Sequence, residues 1–87
     1  MNLLRLQCQI DEKLPGGWHG IGTVRLAELV KDWAERVLPY ALSFKTETKL
    51  EGGDRIVITG CGQSNLVEVS YYYGPNLLDQ ITLEVGE

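Results

Sequence analysis

The chain has 87 residues, of which 44% are hydrophobic and 23% are charged, and it carries a formal net charge of −4. This size suits one domain spanning residues 1–87, and the composition is typical of a chain that folds on its own rather than of a disordered one. No apolar run reaches the ~20 residues of a membrane-spanning helix. Arg5 and Gln7 interrupt the segment where a signal peptide would be apolar. We therefore expect a cytoplasmic protein without membrane contact.

The charge is distributed unevenly along the chain. Residues 1–43 carry five basic and five acidic side chains, whereas residues 44–87 carry three basic and seven acidic ones. No basic cluster is present to contact a phosphate backbone, so direct nucleic-acid binding is disfavoured. The acidic excess is expected either to serve solubility or to face a basic partner.

The first segment alternates between apolar and polar residues. Its apolar face would consist of Leu4, Leu6, Cys8 and Ile10. This period of two predicts a half-buried strand over residues 2–10. Residues 11–22 then contain Pro15 and four glycines, which predicts a flexible loop that leads from the strand into a helix.

Residues 23–39 form the one segment that is predicted as a full helix. Its apolar residues recur at spacings of three and four: Leu26, Leu29, Val30, Trp33, Ala34, Val37 and Leu38. Thr23 is the predicted N-cap and Pro39 marks the end. Trp33 is expected at the centre of the core, in contact with Phe44, Val67 and Val69.

From Tyr40 the period changes to two. Strands are predicted over residues 40–50, 55–59, 66–73 and 81–85, with turns at 52–53, 60–65 and 74–76. The predicted fold is therefore α+β, with a single helix packed on a mostly antiparallel sheet of about five strands in the order β-α-β-β-β-β. The place of the first strand in the sheet is left open.

The glycine-rich loop is the strongest candidate for a ligand site. Free backbone amides near a helix N-terminus attract anions, and His19, Gly20, Gly22 and Arg25 would surround such a ligand. However, Arg25 stands where the dinucleotide-binding fingerprint requires glycine, and no phosphate-binding loop motif is present. The alternative is a mobile linker whose glycines allow Trp18 or Ile21 to fold under the helix end.

Catalytic chemistry has little support in the sequence. His19 is the single histidine and has no carboxylate beside it in the chain. A pair with Cys8 or Cys61 would depend entirely on the fold. The two cysteines lack metal-ligand spacing and are expected to be reduced thiols. We therefore predict no catalytic residues, no metal site and no cofactor.

Aromatic and acidic side chains favour a binding role instead. Alternation along Tyr71–Tyr73 directs Tyr72 to the polar face, and large aromatic residues are common at interface hot spots. The predicted partner-binding residues are Trp18, Tyr72, Glu47, Asp54, Glu68 and Glu84. The alternative is that Tyr71 and Tyr73 are core residues and that Tyr72 only covers a neighbouring strand.

The sequence thus predicts a non-enzymatic protein-binding module that occupies the surface of a larger protein, for which a basic surface would be the natural complement. Small acidic α+β domains are common among phage and mobile-element inhibitors, including anti-CRISPR proteins, which is an analogy of size and class alone. One alternative is a small-ligand or anion-binding domain, or a minimal enzyme, built on residues 16–22 with His19 and Arg25. Another is a homodimer formed through an edge strand.

Overall fold

The computed structural model describes residues 3–37, 43–61 and 66–85. Two helices precede four strands in this part of the chain: α1 (Leu3–Lys13), α2 (Thr23–Val37), β1 (Ser43–Lys49), β2 (Asp54–Cys61), β3 (Leu66–Tyr73) and β4 (Asn76–Glu84). The strands form an antiparallel sheet in the order β1-β2-β3-β4. The predicted α+β class and the antiparallel meander are confirmed.

The predicted first strand is wrong, because this segment forms helix α1. Besides the alternation, it carries apolar residues spaced three and four apart, at positions 3, 6, 10 and 14. Leu6 and Ile10, which fit both patterns, are buried, whereas Leu4 and Cys8, which fit only the alternation, are exposed. Helix α1 packs against α2 and β4, which together cover its apolar stripe. The described residues therefore form two helices and four strands, not one helix and about five strands.

Helix α2 follows the prediction with small differences. The carbonyl of Gly22 accepts a hydrogen bond from the amide of Leu26 at 3.0 Å, so Gly22 rather than Thr23 occupies the N-cap position. The buried stripe of the helix consists of Leu26, Ala27, Val30, Trp33 and Ala34. The predicted helix end at residues 38–39, the strand start at Tyr40 and the turn over residues 62–65 lie outside the described residues.

Trp33 is buried over a glycine of the sheet. A Cβ atom at Gly60 would lie 2.5 Å from Cη2 of the Trp33 indole, so the ring occupies the space that a side chain would fill. The indole Nε1 donates a hydrogen bond to Oγ1 of Thr46 at 3.0 Å. Trp33 belongs to one core cluster with Val67 and Val69, and the side chain of Phe44, its third predicted contact, is not described.

Part of the outer edge of β4 is covered by a side chain of α1. The amide group of Gln9 donates to the backbone carbonyl of Glu84 at 2.8 Å and accepts from the backbone amide of the same residue at 2.9 Å. These are the bonds that a further strand would make. Gln9 thus protects this stretch of the edge from pairing with another chain.

Neither described helix is long and apolar enough to cross a membrane.

Replacing Gly60 with alanine should lower the free energy of unfolding by about 1–3 kcal/mol, because the new methyl group would overlap the Trp33 indole. Urea unfolding followed by circular dichroism measures this change. In a Trp33→Phe background the smaller ring should relieve the overlap, so the same alanine should cost less there. An equal cost in both backgrounds would contradict the packing of Trp33 on Gly60.

Candidate functional site

The glycine-rich segment between α1 and α2 is a closed turn rather than the predicted flexible loop. Trp18 and Ile21 exchange backbone hydrogen bonds of 3.0 and 3.1 Å, and the amide of Gly17 donates to the carbonyl of Leu14 at 3.0 Å. Gly17 has a φ of 78°, and a Cβ there would lie 2.6 Å from the carbonyl oxygen of Ile21. Backbone conformation and space therefore both require glycine at this position.

Trp18 faces the core, a placement that the sequence left open and that does not favour its predicted role as a partner-binding residue. Only 8% of its surface is exposed. Its ring stacks on that of Tyr71, with centroids 5.0 Å apart and an angle of 4° between the planes. The indole Nε1 donates to Oδ2 of Asp79 at 2.8 Å. The turn thus buries the apolar body of the side chain, and Asp79 of β4 supplies an acceptor for its polar edge.

The hydroxyl group of Tyr71 connects this turn to strand β2. It accepts a hydrogen bond from the amide of Gly20 at 3.0 Å and donates one to Oδ2 of Asp54. Gly20 lies so close to the Asp54 carboxylate that no side chain would fit there, since a Cβ at Gly20 would lie 2.0 Å from Oδ2 of Asp54. The hydroxyl therefore has both a donor and an acceptor.

The predicted position of Asp54 on an outer acidic face is wrong. Asp54 is only 5% exposed, and it continues the inward-facing alternation of Ile56 and Ile58 by one step along β2. Its Oδ1 is buried and has no hydrogen-bond partner among the described residues. An unsatisfied buried acceptor costs about 1–3 kcal/mol, and more when it is charged.

Burial away from water raises the pKa of Tyr71 above its ordinary value of 10.0, and the hydrogen bond to Asp54 raises it further. The amide of Gly20 acts in the opposite direction without cancelling these effects. Tyr71 therefore keeps its proton at neutral pH and acts as the donor to Asp54.

A cleft of about 810 Å³ lies beside these groups. It is bounded by the turn before α2, the first helical residues of α2, the loop between β1 and β2, and the ends of β3 and β4. Asp54 and Tyr71 contribute to its lining. The basic side chains on its walls are His19, Arg25 and Lys49, and the apolar ones are Leu50, Tyr73 and Leu78. Its volume is in the range of small-ligand sites.

The structure brings most of the predicted anion site to this cleft. His19, Gly20 and Arg25 line it, whereas Gly22 is not part of the lining. The amides of residues 17, 18, 20 and 21 already have acceptors within the chain, so they are not available to surround an anion as the sequence suggests. An anion in the cleft would depend on the side chains of Arg25 and Lys49.

The sheet face opposite the helices carries three of the remaining predicted binding residues, Glu47, Glu68 and Tyr72. The fourth, Glu84, lies at the edge of β4 that contacts α1. Glu47 forms an ion pair with Arg55, whose guanidinium lies 4.4 Å from the centroid of the half-buried Tyr72 ring. Glu84 pairs with Arg5 at 2.9 Å. The third carboxylate, that of Glu68, accepts a hydrogen bond from the side-chain amide of Gln80. Two of these three carboxylates therefore have basic partners, and the face is less acidic than predicted.

Lys49, Tyr71, Tyr73 and Leu78 line the cleft but were not predicted as site residues. The alternation of β2 indicates that Asp54 faces inward, because it lies two residues before Ile56 and four before Ile58. No comparable signal exists for Leu78, because a register shift beside Tyr71 determines which way this part of β4 faces.

No three His, Cys, Asp or Glu side chains converge on a metal position within the described ranges. Cys8 is an exposed free thiol on α1, and the side chain of Cys61 is not described. Comparison of the chain with protein-family models, with curated proteins and with solved structures finds no match. Functional proposals for this chain therefore depend on the geometry of its own residues.

Replacing Tyr71 with phenylalanine should lower the free energy of unfolding by about 1–3 kcal/mol, because it leaves the Gly20 amide and the Asp54 carboxylate without their shared partner. Tyr72→Phe removes the same group from a half-buried neighbour and should change the unfolding free energy by less than about 0.5 kcal/mol. Urea unfolding of the three proteins makes the comparison. Equal effects of the two substitutions would contradict the bridging role of Tyr71.

The stabilisation by Tyr71 should also depend on pH. Because the folded-state pKa lies above 10.0, the contribution is fully present below about pH 10 and is lost as the pH rises through the folded-state pKa. The difference in unfolding free energy between the wild type and Tyr71→Phe should therefore shrink at high pH. Urea unfolding from about pH 8 to 11 measures this difference, and one that grew with pH would be contrary to expectation.

Proposed function

We propose that the protein is a non-enzymatic protein-binding module that occupies the surface of a larger partner. The observation that supports this is the presence of three exposed apolar side chains near the turn of the β3–β4 hairpin, Tyr73, Leu77 and Leu78, which are called the hairpin tip below. Each of the three is more than half exposed. Single exposed apolar residues are ordinary, but three on one short hairpin beside a cleft are typical of an interaction site.

The geometry of the hairpin explains why these residues are exposed. Gly74 has a φ of 59° in the turn, and the register shift leaves Leu78 between the paired residues Leu77 and Asp79. Leu78 and Tyr73 line the cleft, whereas Leu77 is paired with Tyr72. The hairpin tip therefore borders the cleft and offers apolar area next to polar groups, as binding surfaces commonly do.

A larger protein with a basic surface is the proposed partner. The net charge of −4 supports this choice, since the whole acidic excess belongs to the half of the chain that forms the sheet. The proposal involves no nucleic acid, membrane or cofactor, and the proposed setting is the cytoplasm. An inhibitory role from a phage or mobile element, such as an anti-CRISPR-like role, belongs to the proposal only by analogy of size and class.

A small-ligand site in the cleft is the second candidate. The volume of about 810 Å³ and the presence of His19 and Arg25 on the walls favour it. The surroundings of His19 support the proposal of a non-enzymatic role. This side chain is exposed and makes no hydrogen bond with any described residue. A general base normally has a partner that orients it.

Replacing Leu78 with serine should weaken partner binding at least about tenfold, because it removes apolar contact area from the hairpin tip. The partner is first co-purified with the tagged protein, and the affinities of the variants for it are then measured by calorimetry. Leu4→Ser is the matched control, since Leu4 is also more than half exposed, on α1, and its replacement should leave the affinity unchanged. Equal affinities of the two variants would exclude the hairpin tip as the binding surface.

A further inference from the structure

We propose that the cleft is an anchor pocket for one lysine or arginine side chain of the partner, whose cationic head donates a hydrogen bond to Oδ1 of Asp54. This inference rests on the proposed function. It adds to it the chemical identity of the group that the cleft accepts.

The first argument is the unsatisfied acceptor. Asp54 is only 5% exposed, and its Oδ1 has no partner among the described residues. Tyr71 cannot serve this oxygen, because its single proton is donated to Oδ2 and its lone pair accepts from Gly20. No described basic side chain forms an ion pair with Asp54. Buried carboxylates normally have such a partner, so the missing donor would come from outside the chain.

The second argument is the lining around the carboxylate. Leu50, Tyr73 and Leu78 supply apolar walls, which match the methylene stem of lysine or arginine. A Cβ at Gly52 would lie 3.2 Å from Oδ1 of Asp54, so this glycine lies against the oxygen and shields it. A donor would reach the oxygen when the turn at residues 52–53, which consists of two glycines, yields to it.

The charges on the walls raise the question of an anion instead. Arg25 and Lys49 also line the cleft, but both are exposed to water, whereas Asp54 is buried. Water solvates exposed charges well, and a partner ion adds little to their stability. The buried carboxylate lacks this solvation and gains more from a partner of opposite charge. Burial therefore favours a cationic group over an anion.

The test is a titration of the isotope-labelled full chain by NMR. The probes are the Nα-acetyl N-methylamides of lysine and arginine, with the norleucine analogue as an uncharged control of similar stem length. The lysine or arginine probe should shift the amide signals of Gly20, Gly52 and Tyr71 and bind at least about tenfold more tightly than the norleucine probe. The proposal would be overturned if the norleucine probe bound as tightly as the basic probes. It would also be overturned if inorganic phosphate shifted these amide signals and the basic probes did not.

Two variants separate Asp54 from the other carboxylate of the cleft. Asp54→Asn keeps an oxygen to accept from Tyr71 but removes the charge, and it should weaken binding of the basic probe at least about tenfold. Glu51→Gln makes the same chemical change at an exposed position of the lining and should change the affinity by less than about twofold. Equal losses in the two variants would overturn the assignment to Asp54.

If Asp54→Asn does not fold, Gly52→Ala provides the second measurement. Its methyl group would crowd Oδ1 without changing any charge, so it should weaken binding of the basic probe, and unchanged binding would count against the proposal. None of these titrations uses the partner protein. If the basic probe does not bind while Leu78→Ser still weakens partner binding, the anchor is excluded and the binding module remains. If the basic probe binds while Leu78→Ser leaves partner binding unchanged, only the hairpin tip is excluded as a binding surface.

Discussion

The hydrogen bonds of the Tyr71 hydroxyl hold the helical layer and the sheet in position at one end of the molecule. The hydroxyl receives the amide hydrogen of Gly20 from the turn before α2 and gives its own hydrogen to Asp54 on β2. The Tyr71 ring supports Trp18, which is bonded in turn to Asp79 of β4. Loss of this one group would leave the Gly20 amide and the Asp54 carboxylate without their shared partner, which is costly for the buried carboxylate.

The core is packed differently near Gly60 and near Asp54, and the cleft lies at the second of these places. Near Gly60 the Trp33 indole fills the space down to the backbone. Near Asp54 the contact between the layers is made by polar groups, and the apolar side chains of Tyr73 and Leu78 lie outside it on the hairpin. A polar contact fixes the layers at a few atoms only and leaves open volume beside them. The candidate site therefore occupies the place where close apolar packing stops.

Segments with one clear hydrophobic period were predicted well, and segments with two periods were not. Helix α2 and strand β3 each follow a single pattern, and their positions agree closely with the structure. The first segment fits both a strand and a helix, and contact with α2 and β4 selects the helix. Trp18 posed a different problem, since a glycine-rich segment has no period from which to infer which way a side chain faces.

The sequence by itself determined the α+β class, the amphipathic helix and the antiparallel meander, because these follow from the spacing of apolar residues and from glycine turns within short stretches of chain. It also brought His19 and Arg25 into consideration for one site. Only the tertiary structure decided that Asp54 is buried beside Tyr71, 17 residues away, and that Tyr71 meets Gly20, 51 residues away. Such contacts depend on how the turn before α2 folds over the sheet, and local periodicity carries no information about distances of that kind.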